Sequence, residues 1–206
     1  MHTDKYLRLK KRLDKLKSIY LPPVFSPTGS YSDSDFEKVR AYEVLSHAEM
    51  EYYFEEVALA IAQKAYQCWQ LKRKVSPPLL SLVAYYSGQF PSIPDVHSGN
   101  NSEKDIIWRI NASYTSYNSQ IRSSNNGIKE KNILSIFLPI GVNITSIDEG
   151  MLLALNNFGS ERGIIAHSTR ALTLTTPDDA LASVTNIMTY IDAFDQYLAS
   201  YKASIR

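Results

Sequence analysis

Two groups of residues in this 206-residue chain have types and spacings that could do chemistry. The first is Arg162 and His167, in the stretch "ERGIIAHS". Arginine is a permanent cation able to hold a phosphate through two hydrogen bonds. Histidine is the side chain that shuttles a proton near neutral pH. Together they supply what metal-free cleavage of RNA requires: a base for the 2′-hydroxyl and charge stabilisation at the phosphate. On an ideal helix, residues five apart are separated by about 140°, so the pair does not stack on one face. It can flank a groove that a second molecule closes. From the spacing alone, the plainer reading is a helix end with a solvated arginine and a capping histidine.

The second group is Arg40, His47 and Glu51, in "RAYEVLSHAEMEYYFEE". Arg40 and His47 are seven residues apart and share a helical face about two turns apart. His47 and Glu51 are spaced i,i+4 and can hydrogen-bond. A carboxylate beside an imidazole fixes its tautomer and raises its pKa. The group reads either as the lining of a cleft or as a buried network tying its helix to its neighbours.

The elements that must carry these residues read as helices. Residues 5–20 place Tyr6, Leu7, Leu13, Leu16 and Tyr20 at helical spacing between lysines and arginines. "LPPVFSPTGSYSDSD" ends that helix and forms a linker or wrapped loop. A long helix is expected from Phe36 to about Lys74, capped by Ser34 or Asp35, with Glu37 in its first turn. Its apolar stripe is Ala41, Leu45, Ala48, Tyr52 and Leu59, and a kink or split is expected near Lys64. Pro77 and Pro78 open a short helix. "SEKDIIWRINASYTSYNSQIRS" is a helix capped by Ser102. "NNG" at 125–127 is a turn, and "IKEKNILSIFL" is a short helix stopped before Pro139. Ser146 and Glu149 form a capping box, and Gly159 is expected to close the helix that follows. Thr176-Pro177-Asp178-Asp179 starts a last helix that runs to the end of the chain. The best strand-like fragment, "ALTLTT" at 171–176, is short. The expected fold class is therefore all-α.

Composition narrows the function. The formal charge is +1 and 44% of residues are hydrophobic, so a nucleic-acid site has to come from local clustering of Lys and Arg. The single cysteine, Cys68, reads as a packing residue. No apolar stretch approaches the roughly 20 residues needed to span a bilayer, and no secretory signal is evident, so cytoplasmic localisation and no membrane partner are expected. His97 and Asp95 are too few to make a metal site, and no phosphate-binding loop motif is present; no cofactor and no metal are expected. His2 is expected to be disordered at the terminus. Tyr114 and Tyr117, near Arg109 and Arg122, read as helix-interface residues, with stacking on single-stranded bases as the other reading. The basic residues of the first helix, Lys10, Lys11, Arg12, Lys15 and Lys17, read as a solvated face or as phosphate contacts.

Three blocks in order, "RAYEVLSHAEMEYYFE", "NNGIKEKNILSIFLPIGV" and "FGSERGIIAHS", resemble the HEPN superfamily of all-α domains, and most of all its RiboL-PSP-HEPN group. The resemblance covers roughly residues 35–205. It implies a basic helix and linker at 1–34 followed by a HEPN-like domain at 35–206. That domain is a helical bundle with a long central helix and additional short helices. The resemblance also implies a homodimer whose two Arg-x4-6-His signatures meet in one cleft, with Arg162 and His167 as the signature residues. In this reading His167 is general base or acid, Arg162 binds the scissile phosphate, and Arg40, His47 and Glu51 support or line the cleft. The implied activity is metal-independent RNA cleavage in a defence, toxin–antitoxin or RNA-repair setting, with RNA as substrate and an antitoxin or other protein as possible partner. Gly163 stands where such domains often carry Asn or another polar residue. Either an orienting group is lost, or the glycine serves close backbone approach. The first of these favours the alternative function, a non-catalytic RNA-binding or protein-interaction module.

Overall fold

A computed structural model of the chain describes the backbone of residues 1–86, 105–167 and 175–206, and the side chains of all of these except 161–167. Among the described residues every regular element is a helix. Helix α1 spans Asp4–Tyr20 and buries Tyr6, Leu9, Leu13 and Leu16. Its inward face is the expected one through Tyr6, Leu13 and Leu16, with Leu9 in place of Leu7, which is exposed. Thr3 caps it, accepting from the Tyr6 N–H at 3.1 Å.

Helix α2 spans Asp33–Lys72. Its cap is Ser32, earlier than expected, in a reciprocal box with Asp35. The helix continues past Lys64 without a break and ends at Arg73, which adopts a left-handed conformation. Of the expected stripe, Leu59 is buried and Ala41 partly so, but the middle of it lies off the buried face. Leu45, Ala48 and Tyr52 are exposed, while Val39, Tyr42, Met50, Phe54 and Val57 are buried. The reason is that polar residues share the buried face: Glu43, Ser46 and His47 are all inside. The apolar residues of this helix thus offer more than one stripe, and the buried one also carries polar side chains.

The remaining helices pack around α2, which touches each of them. They are α3 (Pro77–Tyr86), α4 (Ile106–Ser124), α5 (Glu130–Phe137), α6 (Glu149–His167) and α7 (Pro177–Ser204). Asp105 caps α4, accepting from the Trp108 N–H at 2.7 Å; Ser102, the expected cap, lies outside the described residues. A 3-10 turn at Leu138–Ile140 carries Pro139. Asp148, not Ser146, holds the first turn of α6 through the Met151 N–H at 3.1 Å. Thr176 caps α7 as its sequence predicts, accepting from the Asp179 N–H at 3.2 Å. Of the strand-like fragment, 171–174 lie outside the described residues.

The core runs continuously through all seven of these helices. Phe137 of α5 meets Phe54 of α2 and Phe194 of α7 edge-on, at 6.1 and 5.0 Å between ring centres, the arrangement that aromatic quadrupoles favour. Cys68 is buried among these residues. Beside this aromatic cluster, the fully buried Asp195 carboxylate accepts from the Thr3 N–H at 2.8 Å and from the Tyr53 hydroxyl at 2.9 Å. These donors make burial of the charge tolerable and tie the start of α1 to α2 and α7. His2 is ordered by the same contact, stacked on Tyr6 at 4.5 Å with Nδ1 3.3 Å from Asp195. No described helix is long and apolar enough to cross a membrane.

Burial pushes the Tyr53 and Tyr117 hydroxyls well above the usual tyrosine range, and that of Tyr42 up to about 12. Each resists ionising while folded but ionises near pH 10 once unfolded. Their contribution is thus fully present below about pH 10 and is lost as pH rises towards 12. Lys202, lowered by burial, acts in the opposite sense but is one group against three. Melting temperature measured from pH 8 to 11.5 should be level up to about pH 10 and fall steeply above it. A level profile through pH 11.5 would contradict this.

Candidate functional site

Helix geometry puts Arg40, Glu43, His47 and Glu51 along one face of α2, at spacings of three and four residues. Arg40 is half-buried, and its Nη1 donates to Glu37 Oε1 at 2.9 Å. Glu43 and His47 are each only 2% exposed. The His47 ring lies against Phe158 of α6, with ring centres 6.2 Å apart and planes 28° from parallel. His47 Nδ1 is 3.7 Å from Glu51 Oε2, an ion-pair distance longer than a hydrogen bond. The other carboxylate oxygen, Oε1, accepts from the Gly127 N–H at 2.5 Å. Glu51 thereby joins the buried imidazole to the connection between α4 and α5.

That connection, residues 125–129, is built to approach α2 closely. Gly127 has φ +132°, a conformation that side-chain-bearing residues rarely adopt. Asn125 donates to Glu55 Oε1 at 2.8 Å, one turn beyond Glu51, and accepts from Asn132 Nδ2 at 3.1 Å. Burial raises the Glu55 carboxyl above its ordinary range, and the Asn125 amide opposes this by bonding the charged form. The turn that "NNG" signals in the sequence thus closes over the carboxylate end of the stripe.

Helix α6 closes the other side. Gly159 does not end it; the helix passes through to His167. A Cβ on Gly159 would stand 3.0 Å from Lys129 Cγ and 3.7 Å from His47 Nε2. The glycine is there for close approach, and its neighbours come from distant parts of the chain. For the pair that the sequence singles out, the described backbone places Arg162 and His167 in α6. Their side chains, and that of Gly163, lie outside the described residues. Arg162 follows Phe158 by one turn, so the helical register continues from the residue stacked on His47 to the arginine position.

The surroundings of His47 include two residues that sequence reasoning missed or undervalued, one on the stripe and one in the α4–α5 connection. Glu43 carries a legible signal, three residues after Arg40 and four before His47. Lys129, laid over Gly159, has none. Other basic and aromatic candidates fall elsewhere. Tyr117 is fully buried and donates to the Ile136 carbonyl at 2.8 Å, and Tyr114 stacks on Tyr66 at 4.2 Å; both act as helix-interface residues. Arg12 on α1 is paired with Glu49 of α2 at 2.7 Å, while Lys10, Lys11, Lys15 and Lys17 are exposed. No group of His, Cys, Asp and Glu able to hold a metal ion is found among the described residues. Asp95 and His97 lie outside them.

The profile of the RiboL-PSP-HEPN family matches residues 7–200 of the chain. That span takes in most of α1 as well as all of α2–α6. No curated protein and no solved structure matches the chain.

The two glycines respond differently to a methyl group. At Gly127 a Cβ would meet only ordinary contacts, the nearest at 3.6 Å, so the cost is backbone strain of about 1–3 kcal/mol. At Gly159 the nearest atom is Lys129 Cγ at 3.0 Å, near the base of that side chain, so the lysine must give way, against about 1 kcal/mol of helix propensity that alanine gains over glycine. Urea unfolding should show Gly127→Ala clearly destabilised and Gly159→Ala less so. Equal losses at both positions would mean that the crowding at Gly159 is rigid.

Proposed function

The chain belongs to the RiboL-PSP-HEPN family, and on that premise we propose that it is a metal-independent endoribonuclease acting as a homodimer. His167 takes the proton from the 2′-hydroxyl or gives one to the leaving 5′-oxygen. Arg162 holds the scissile phosphate and offsets the charge that builds on it. Attack by the 2′-oxygen on phosphorus breaks the bond to the 5′-oxygen and leaves a 2′,3′-cyclic phosphate and a 5′-hydroxyl. Arg40, His47 and Glu51 support the cleft from α2. We place the protein in a defence, toxin–antitoxin or RNA-repair setting, with an antitoxin or similar regulator as its protein partner.

The observation that carries this reading is the seat of α6 on α2. Phe158 and Gly159 rest against the buried His47, and the same unbroken helix continues to Arg162 and His167. Those two positions are separated by about 140° and about 7.5 Å along the helix axis. One helix therefore offers two sides of a groove, and a twofold-related copy supplies the facing wall. Lys129, beside Gly159, adds a cation near the middle of that helix.

The alternative, a non-catalytic RNA-binding or interaction module, draws on Gly163. The two readings separate on variants. Arg162→Ala and His167→Ala should each lower RNA cleavage by at least about 100-fold while leaving melting and dimerisation unchanged. Expression of the wild type should slow cell growth, and His167→Ala should relieve it. A folded, dimeric wild type that cuts no RNA, alone or with its partner protein, would leave the module reading standing.

A further inference from the structure

A second polar site adjoins the first. At the junction of α4 and α5 lies a cleft of about 270 Å³. Four amide side chains line it, Gln120, Asn125, Asn126 and Asn132, and Lys131 is its one charged residue. Two serines and the buried Ile121 complete the wall. Among the described residues no carboxylate lines it. Two other clefts, along α1, differ in this respect: one carries Asp14 and Asp192 and the other Glu49 and Glu56.

The amides are held in place from behind. Gln120 Oε1 accepts from the Tyr86 hydroxyl at 2.7 Å. Asn132 Nδ2 donates to Asn125 Oδ1, and Asn125 Nδ2 in turn to Glu55. The cleft also abuts the buried histidine. Asn132 Oδ1 and His47 Cε1 lie 3.6 and 3.9 Å from the same point, the position a Cβ on Gly127 would occupy. The Gly127 position thus lies close to both the amide-lined cleft and the buried imidazole.

We propose that this cleft is a base-specificity site that takes one unpaired RNA base, adenine foremost, next to the scissile phosphate. The proposal deepens the ribonuclease reading and rests on it. Amides offer a donor and an acceptor in one plane, which matches the edge of a base. Unpaired RNA displays that edge. Asn and Gln suit adenine, whereas guanine favours Arg or Lys pairs and cytosine favours Asp or Glu. Freedom from carboxylates admits a polyanion, and Lys131 can meet a neighbouring phosphate. With the base in the cleft, the sugar and phosphate lie on the Gly127 side, towards His47 and α6.

Binding tests this apart from catalysis. AMP, GMP, CMP and UMP would be titrated by NMR into the full wild-type chain and into Gln120→Ala, Asn126→Ala and Asn132→Ser. The first two alter exposed residues, which keeps the fold. AMP should bind at least tenfold more tightly than the other three, with shifts at Asn126 and Asn132. All three variants should weaken AMP about tenfold, Gln120→Ala and Asn126→Ala at unchanged melting temperature. In parallel, cleavage sites on a mixed-sequence RNA should fall beside adenosine, and the variants should lose that preference. Equal or absent binding of the four nucleotides, or variants that leave AMP affinity unchanged, would overturn the proposal. If AMP binds as expected but no RNA is cut, the base site stands and the nuclease reading fails. If RNA is cut without base preference and AMP does not bind, the base site alone fails.

Discussion

Helix α2 makes contact with all six of the other described helices, yet it buries a glutamate and a histidine within its length. Everything around it answers that constraint. Buried polar groups cost free energy unless they find partners, and the packing of α6 and of the α4–α5 connection against this face supplies the surroundings. Glu51 spans the gap between imidazole and backbone, with Gly127 donating to one oxygen and His47 facing the other. Phe158 covers the imidazole ring. A wholly apolar face would pack at less cost. The retained polar stripe instead fixes where α6 sits, and α6 carries the arginine and histidine proposed to act on RNA.

Two glycines let this happen in different ways. Gly127 is used for its backbone freedom and Gly159 for its lack of a side chain. Asp195, which accepts from Tyr53 of α2, does for α1 what Glu51 does for the α4–α5 connection. In each case one buried or half-buried carboxylate receives a backbone N–H from a separate segment and pins it to the core. Hydrogen bonds to a charged acceptor are among the stronger ones in proteins. The tertiary order of this helical chain thus leans on carboxylates as well as on its apolar core.

Much of the fold was legible in the sequence, because helix starts are local. Thr176-Pro177-Asp178-Asp179 announces α7, and Pro77-Pro78 announces α3. The faces were harder to read, since burial is decided by distant segments. Leu45 and Tyr52 read as core and are exposed, while Glu43 and His47 are inside. Gly159 reads as a helix end because its approach to Lys129 and His47 cannot be seen along the chain. Of the site, His47 and Glu51 were visible from their spacing, and the three ordered blocks pointed to the family that the match over residues 7–200 shows. The amide cleft was not visible, because its residues come from two helices and the turn between them and form no motif.

The most direct measurement of the chemistry is cleavage, with EDTA present, of an RNA carrying a single 2′-deoxy nucleotide at the mapped cut. The 2′-hydroxyl is the proposed nucleophile, so its removal should abolish cutting at that bond alone. The unmodified RNA should still be cut, leaving a 2′,3′-cyclic phosphate. Cutting that persists at the deoxy position, or that EDTA abolishes, would contradict a metal-independent attack by the 2′-oxygen.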